Sequence, residues 1–276
     1  MKAKAVVFGV IVLSFLTFSL VGIGCGKYRG SPFSSDILRG ERDLNLSAVA
    51  SLGDPEADGI IRIAIIADPH QNYKDLEDAI STLKRVTDVD FLVNLGDITN
   101  SSYNMEYDQY LRSHSLIGVP SFVVAGNHDM LGAGPAIFNK VFGTSNLFFE
   151  TNSYRFILFN SANLETPENF HPDWLLSIVQ ASTKPVMIFS HIPLDDKERF
   201  HGDVKAKFTQ IVQDSRVKAV MNGHNHAYLL RYDSGTVLLQ VPRVEGNQWV
   251  VLEVQAGQYQ IINQAGVVVP WQNFKP

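Results

Sequence analysis

Residues 123–130 read V-V-A-G-N-H-D-M. An apolar run breaks at a glycine into Asn127, His128 and Asp129, three polar side chains in succession. A buried strand that ends this way is costly unless something pairs those groups. A turn needs the glycine and one Asn or Asp, but it has no need of the histidine. The stretch decides the fold because other strands end in the same chemistry.

From Ile60 onward, apolar runs alternate with helical periodicity. Ile60–Ala67 is a β-branched run that reads as a buried strand, and it ends in Asp68-Pro-His70. Tyr73–Val86 places Leu76, Ala79, Ile80 and Leu83 on one helix face. Strand Phe91–Leu95 ends in Gly96-Asp97, a polar-rich helix follows over about Met105–Leu116, and strand Ser121–Ala125 ends in the opening motif. Pro135–Phe142 reads as a short helix and Phe148–Ser161 as a strand pair or one long strand.

Asp173–Ser182 reads as a helix opened by Pro172 and Val204–Asp214 as another. Strand Val186–Phe189 ends in Ser190-His191, and strand Val217–Met221 ends in Asn222-Gly-His224-Asn-His226. Beyond His226 the pattern is all β, with strands at Tyr228–Arg231, Thr236–Val241, Trp249–Gln255, Tyr259–Asn263 and Val267–Val269. Asp233-Ser-Gly and Ala256-Gly supply turns between them. Alternating strands and helices followed by antiparallel strands predict one layered α/β domain over residues 60–276.

In open α/β sheets, ligands sit outside the carboxyl ends of the strands. Five such ends bring together five of the eight histidines and three aspartates. Taken singly, each has a bland explanation as a cap or an Asx-turn. Five coincidental polar endings are a poorer explanation than one shared metal site. Glycines beside three of them allow close backbone approach. The donors are N and O with no thiolate, a mixture that suits Mn, Fe, Zn or Co rather than Ca. There are more candidate ligands than one ion can use, so two ions are expected.

The bulk composition sets bounds on this picture. The chain has 276 residues, 45% of them hydrophobic and 18% charged, as in a globular protein that buries a real core. Its formal net charge is −5 with no basic stripe, which argues against a long nucleic acid as partner. A small anionic ligand stays compatible with that charge, because bound metals outweigh it locally.

The single cysteine, Cys25, excludes an internal disulfide or a thiolate zinc site. Lys2 and Lys4 precede an uncharged stretch from Ala5 to Gly24, which reads as a secretory signal or a membrane anchor over residues 1–24. V-G-I-G-C at 21–25 resembles the bacterial lipobox, with Gly22 where a Leu is usual. The resemblance implies lipidation at Cys25, an extracytoplasmic location and a membrane as partner. Residues 25–59, mixed and rich in Gly, Ser and Asp, read as a tether with one short helix near Leu44–Leu52.

In order, Asp68-Pro-His70, Gly96-Asp97, Gly126-Asn127-His128-Asp129, His191 and Gly223-His224-Asn225-His226 resemble the calcineurin-like metallophosphoesterase superfamily. The match covers residues 60–226 by motif and the β-rich tail by general shape. It implies a two-sheet β-sandwich core flanked by helices. It implies that Asp68, His70 and His226 hold one metal, that Asn127, His191 and His224 hold a second, and that Asp97 bridges them. The implied activity is hydrolysis of a small phosphate ester, mono- or diester, by a metal-bridging hydroxide attacking phosphorus in line.

His128 would protonate the leaving alkoxide, with Asp129 or Asn100 orienting its other nitrogen. Gly96-Asp97 continues Ile98-Thr-Asn100-Ser, without the Asp and Arg of the protein phosphatases or the Tyr of the purple acid phosphatases. What remains resembles the bacterial group of small phosphatases and cyclic-nucleotide phosphodiesterases. The alternative is an inactive metal-binding scaffold or interaction module of the same fold. His114 and His171 read as surface or capping residues, and His201 as part of a charged loop lying over the site.

Overall fold

The structure is a computed structural model that describes residues 31–86 and 88–276. The expected signal segment, 1–24, and Cys25 lie outside the described residues. Among those described, no helix is long and apolar enough to cross a membrane.

The folded unit spans Phe33–Pro276. Helix α1 (Leu44–Ser51) leads into strand β1 (Ile61–Ile66), helix α2 (Tyr73–Val86), β2 (Phe91–Asn94), α3 (Asn104–His114), β3 (Ser121–Val123) and α4 (Gly134–Phe142). A second series follows as β4 (Leu147–Glu150), β5 (Arg155–Phe159), α5 (Pro172–Gln180), β6 (Val186–Ser190), α6 (Gly202–Gln213) and β7 (Val217–Asn222). The chain closes with β8 (Leu229–Asp233), β9 (Thr236–Gln240), β10 (Val250–Gln255), β11 (Gln258–Asn263) and β12 (Gly266–Asn273). The expected elements are all present, and the region after Phe148 resolves into a strand pair.

Two six-stranded sheets form, in the orders β12-β11-β10-β1-β2-β3 and β4-β5-β6-β7-β9-β8. β1, β2 and β3 run parallel, as do β5, β6, β7 and β9. The β-rich tail divides between the sheets. β8 and β9 extend the second, and β10 to β12 form a meander on the first.

Alternation along the strands builds four layers. Ile63, Ile65, Phe91 and Val93 face Phe156, Leu158, Met187 and Phe189 between the sheets. Ala64, Ile66 and Leu92 face Leu76, Ile80, Tyr107 and Phe138 of the helices over the first sheet. Ile157, Ile188 and Val220 face Leu175, Phe208 and Ile211 over the second. Strands covered on both faces need apolar residues at every position, which is why they read as unbroken apolar runs.

The expected boundary at residue 60 shifts, because residues 33–59 pack on the domain as a strap. Asn45, 2% exposed, donates from Nδ2 to the Val123 carbonyl at 3.0 Å and accepts the Val123 N–H on Oδ1 at 2.8 Å. It thereby covers the open edge of β3, which would otherwise present bare backbone groups. Asp108 takes the backbone N–H groups of Leu38 and Arg39 at 3.0 Å. The polar composition concealed this, because a few apolar anchors, Ala48 in the inter-sheet core with Val49 and Leu52 against it, and Ile37 and Leu44 on the helix side, are spread through a mostly polar segment and joined by hydrogen bonds. His114 also departs from expectation. Its ring lies between Tyr110 and Phe142, and its buried Nε2 has no hydrogen-bond partner among the described residues.

Candidate metal centre

The strand ends converge as expected, and backbone hydrogen bonds lace their loops together. The Asp68 N–H donates to the Gly96 carbonyl at 3.1 Å, and the His70 N–H to the Asp97 carbonyl at 2.8 Å. The His128 N–H donates to Asp97 Oδ1 at 2.8 Å, and the His224 N–H to Asp68 Oδ2 at 3.1 Å. Carboxylates from one loop are therefore oriented by amides of another.

Close approach demands glycine at two of these crossings. A Cβ on Gly126 would lie 2.1 Å from the Asp97 nitrogen, and one on Gly223 would lie 2.5 Å from Asp68 Oδ2. Asp68, His70, Asp97, His224 and His226 all have left-handed φ, between 46° and 72°. They are half of the ten non-glycine residues in that region among those described. Such conformations cost of order 1–3 kcal/mol each and cluster at functional sites. Sequence alone does not locate them: Asp and His are enriched among non-glycine residues in this region, yet most of them adopt ordinary backbone, so residue type does not say which will.

Asp68, His70 and His226 form one group of potential ligands and Asp97, His191 and His224 a second, each with its ligand atoms within 4.8 Å of one another. Asn127 joins the second group, its Oδ1 3.1 Å from His191 Nε2. Asp97 Oδ2 lies 3.1 Å from His191 Nε2 and 3.7 Å from His70 Nε2, between the groups. All seven expected ligands are thus gathered in one place.

The donor chemistry fits cations. His191 Nε2 is approached by Asp97, Asn127 and also His224 Nδ1 at 3.2 Å, more partners than one ring nitrogen can serve with a single proton. His70 Nε2 and His226 Nε2 face each other at 3.4 Å. The far nitrogens are held by backbone carbonyls, His70 Nδ1 by Thr99 at 3.1 Å and His191 Nδ1 by Leu95 at 2.8 Å. Each such carbonyl holds the proton on Nδ1 and aims the Nε2 lone pair into the site.

Electrostatics point the same way. Burial disfavours a charged His191, but Asp97 and Asp68 raise it to about 9. Burial would raise Asp97, yet His191, His128 and His70 bring it down to about 2. A cation held among these groups would displace that proton. His224 is lowered to about 4 by burial and by its neighbour His191.

The three expected catalytic positions separate. His128 is half-buried beside the ligands, its ring 5.0 Å from that of His70 and edge-on to it. Its Nδ1 donates to the Asn100 backbone carbonyl at 2.7 Å. Asn100 therefore acts through its main chain, and its exposed side chain plays no part in that bond. Asp129 does not orient His128. It is fully buried and points inward, accepting from the Thr99 N–H at 2.9 Å, the Thr99 hydroxyl at 3.0 Å and the Gly126 N–H at 3.0 Å. Burial and the nearby Asp97 charge push it up to about 7. Its geometry is that of a clamp between two loops. His201 is exposed and its Nε2 meets the Glu198 carbonyl at 3.2 Å, and His171 is exposed at the start of α5.

The family model described as calcineurin-like phosphoesterase matches residues 61–228. The chain belongs to the calcineurin-like phosphoesterase family. A Psychrobacter arcticus protein named as a probable cyclic nucleotide phosphodiesterase is 21% identical over 221 residues, 72% of this chain and 77% of its own length. A dimetal phosphatase from Danio rerio superposes with a TM-score of 0.61 at 14% identity, over 78% of this chain and 98% of that one. Purple acid phosphatase from yellow lupin gives 0.60 at 13% identity, over 76% and 53%. Membership in this family, together with the two ligand groups, implies divalent metal ions in the calcineurin-like site.

Proposed function

We propose that this family member is a dinuclear-metal hydrolase of small phosphate esters. The observation that carries the proposal is the complete set of seven ligand side chains, with Asp97 between the two groups and His128 beside them. Such a metal pair supplies Lewis acidity toward phosphoryl oxygens and lowers the pKa of a bound water toward neutrality.

The chain's own residues do the rest. Asp68, His70 and His226 would hold one ion and Asn127, His191 and His224 the other, with Asp97 shared. Oriented by Asn100, His128 keeps Nδ1 protonated and offers Nε2–H to the leaving alkoxide when charged. With metal ions held by these ligands, the site would favour an anionic phosphoryl group over a neutral substrate. The Psychrobacter relative brings cyclic nucleotides into the candidate range beside simple mono- and diesters. The basic and apolar character of residues 1–24 and the 21–25 motif support a secreted, lipid-anchored placement, which labelled fatty acid incorporated by the wild type and lost in Cys25→Ser would test.

The decisive assay measures hydrolysis of aryl and alkyl phosphate mono- and diesters, and of cyclic nucleotides, with Mn or Fe. His128→Ala should retain metal and lose about 10²–10⁴-fold on alkyl esters, with a smaller loss on esters of good aryl leaving groups. Asp97→Ala should lose metal and activity together. Wild-type protein that binds metal and hydrolyses none of these esters would sink the proposal.

A further inference from the structure

The loop after β2 contains two successive peptide groups, each tied at both ends. In the first, the Thr99 carbonyl accepts from His70 Nδ1 at 3.1 Å while the Asn100 N–H donates to Glu106 Oε1 at 3.2 Å. In the second, the Asn100 carbonyl accepts from His128 Nδ1 at 2.7 Å while the Ser101 N–H donates to Glu106 Oε2 at 3.0 Å. Both oxygens of one carboxylate thus reach, through one amide each, a predicted metal ligand and the predicted acid.

Glu106 is 3% exposed, and among the described residues no Lys or Arg lies within ion-pair distance of it. It also takes Gln71 Nε2 on Oε1 at 2.7 Å and the Tyr103 N–H on Oε2 at 2.9 Å. The Tyr103 bond alone would be an ordinary cap for the first turn of α3. The other three bonds serve the His70 loop and the Asn100 loop, which a helix cap does not require.

We propose that Glu106 is a positioning residue for both His70 and His128, acting through these two peptide groups. A carboxylate bonded to an amide N–H polarises the group, so its carbonyl becomes a stronger acceptor. Each carbonyl then holds its Nδ1–H more firmly and leaves Nε2 more basic and better aimed. The inference rests on the assignment of His70 as a ligand and His128 as the acid.

Glu106→Gln keeps the shape but replaces one acceptor oxygen with a donor, so at least one of the loop amides loses its partner. Two effects are expected in the full chain. Mn²⁺ titrated alone by calorimetry should bind about 10-fold more weakly in the group containing His70. Turnover of an alkyl phosphate should fall by about 10-fold with KM little changed, while an aryl ester is barely affected. Glu106→Gln combined with His128→Ala should be no slower on the alkyl ester than His128→Ala alone, because both changes remove the same proton transfer. Glu106→Asp, which keeps the charge, should show the same pattern at smaller size.

Equal losses on alkyl and aryl esters, or losses that add to those of His128→Ala, with unchanged Mn²⁺ affinity, would overturn the proposal. So would failure of both Glu106 variants to fold, since the residue would then be a structural cap. If His128→Ala itself shows no leaving-group dependence, the assignment of the acid fails, and the Mn²⁺ titration alone decides the His70 half.

Discussion

Gly126→Ala tests how tightly the two central loops of the site are locked. The new Cβ would stand 2.1 Å from the Asp97 backbone nitrogen and 2.3 Å from Asp97 Oδ1, where real contacts do not fall below 3.0 Å. The carboxylate oxygen cannot swing away freely, because it accepts the His128 N–H at 2.8 Å while its partner oxygen faces His191 at 3.1 Å. The backbone nitrogen cannot rotate away at all. Relief therefore requires the loops after β2 and β3 to part by about 1 Å, an overpacking strain at the upper end of the usual range, about 3 kcal/mol. A domain of ordinary stability survives that loss. Activity suffers more, since a displacement of about 1 Å at a catalytic constellation costs on the order of 100-fold. Urea unfolding, metal content and aryl-phosphate hydrolysis of the purified variant measure the three consequences. An unchanged urea midpoint with activity within about twofold of wild type would refute the claimed crowding at Asp97.

Asn45→Ala should destabilise the domain by about 2–5 kcal/mol, read from urea denaturation, because it orphans both the N–H and the carbonyl of Val123 at a sheet edge. Removal of residues 33–59 should expose that edge and promote association, visible by light scattering. Stability should also fall on acidification through His114, which burial lowers to about 4. Above about pH 6.5 the group is neutral in both states. Between there and pH 4 the unfolded chain takes up a proton that the folded state refuses, at a cost reaching about 3 kcal/mol. His114→Phe should flatten that part of the stability–pH curve, and a slope unchanged from wild type would dismiss the assignment.

The sequence by itself determined the chemistry of the centre. The strand ends gathered the candidate donors, and Asp68, His70, Asp97, Asn127, His191, His224 and His226 could be named among them because their order along the chain resembles the calcineurin-like motif. The layered fold followed from the same runs. Tertiary structure alone decided how those atoms are aimed. Asp129 and His128 are adjacent in the chain, yet one turns into the core to clamp Thr99 and Gly126 while the other faces the ligands. The partner of His128 is a backbone carbonyl, and every residue has one, so no residue type announces it. Glu106 is one polar residue among several in its helix by sequence and becomes a hub only where the His70 and Asn100 loops meet it. The stretch V-V-A-G-N-H-D-M therefore supplied, as side chains, the proposed ligand Asn127, the proposed acid His128 and the clamp Asp129. Which was which depended on loops brought together from as far as 64 residues away, where hydrogen bonds rather than composition fix the geometry.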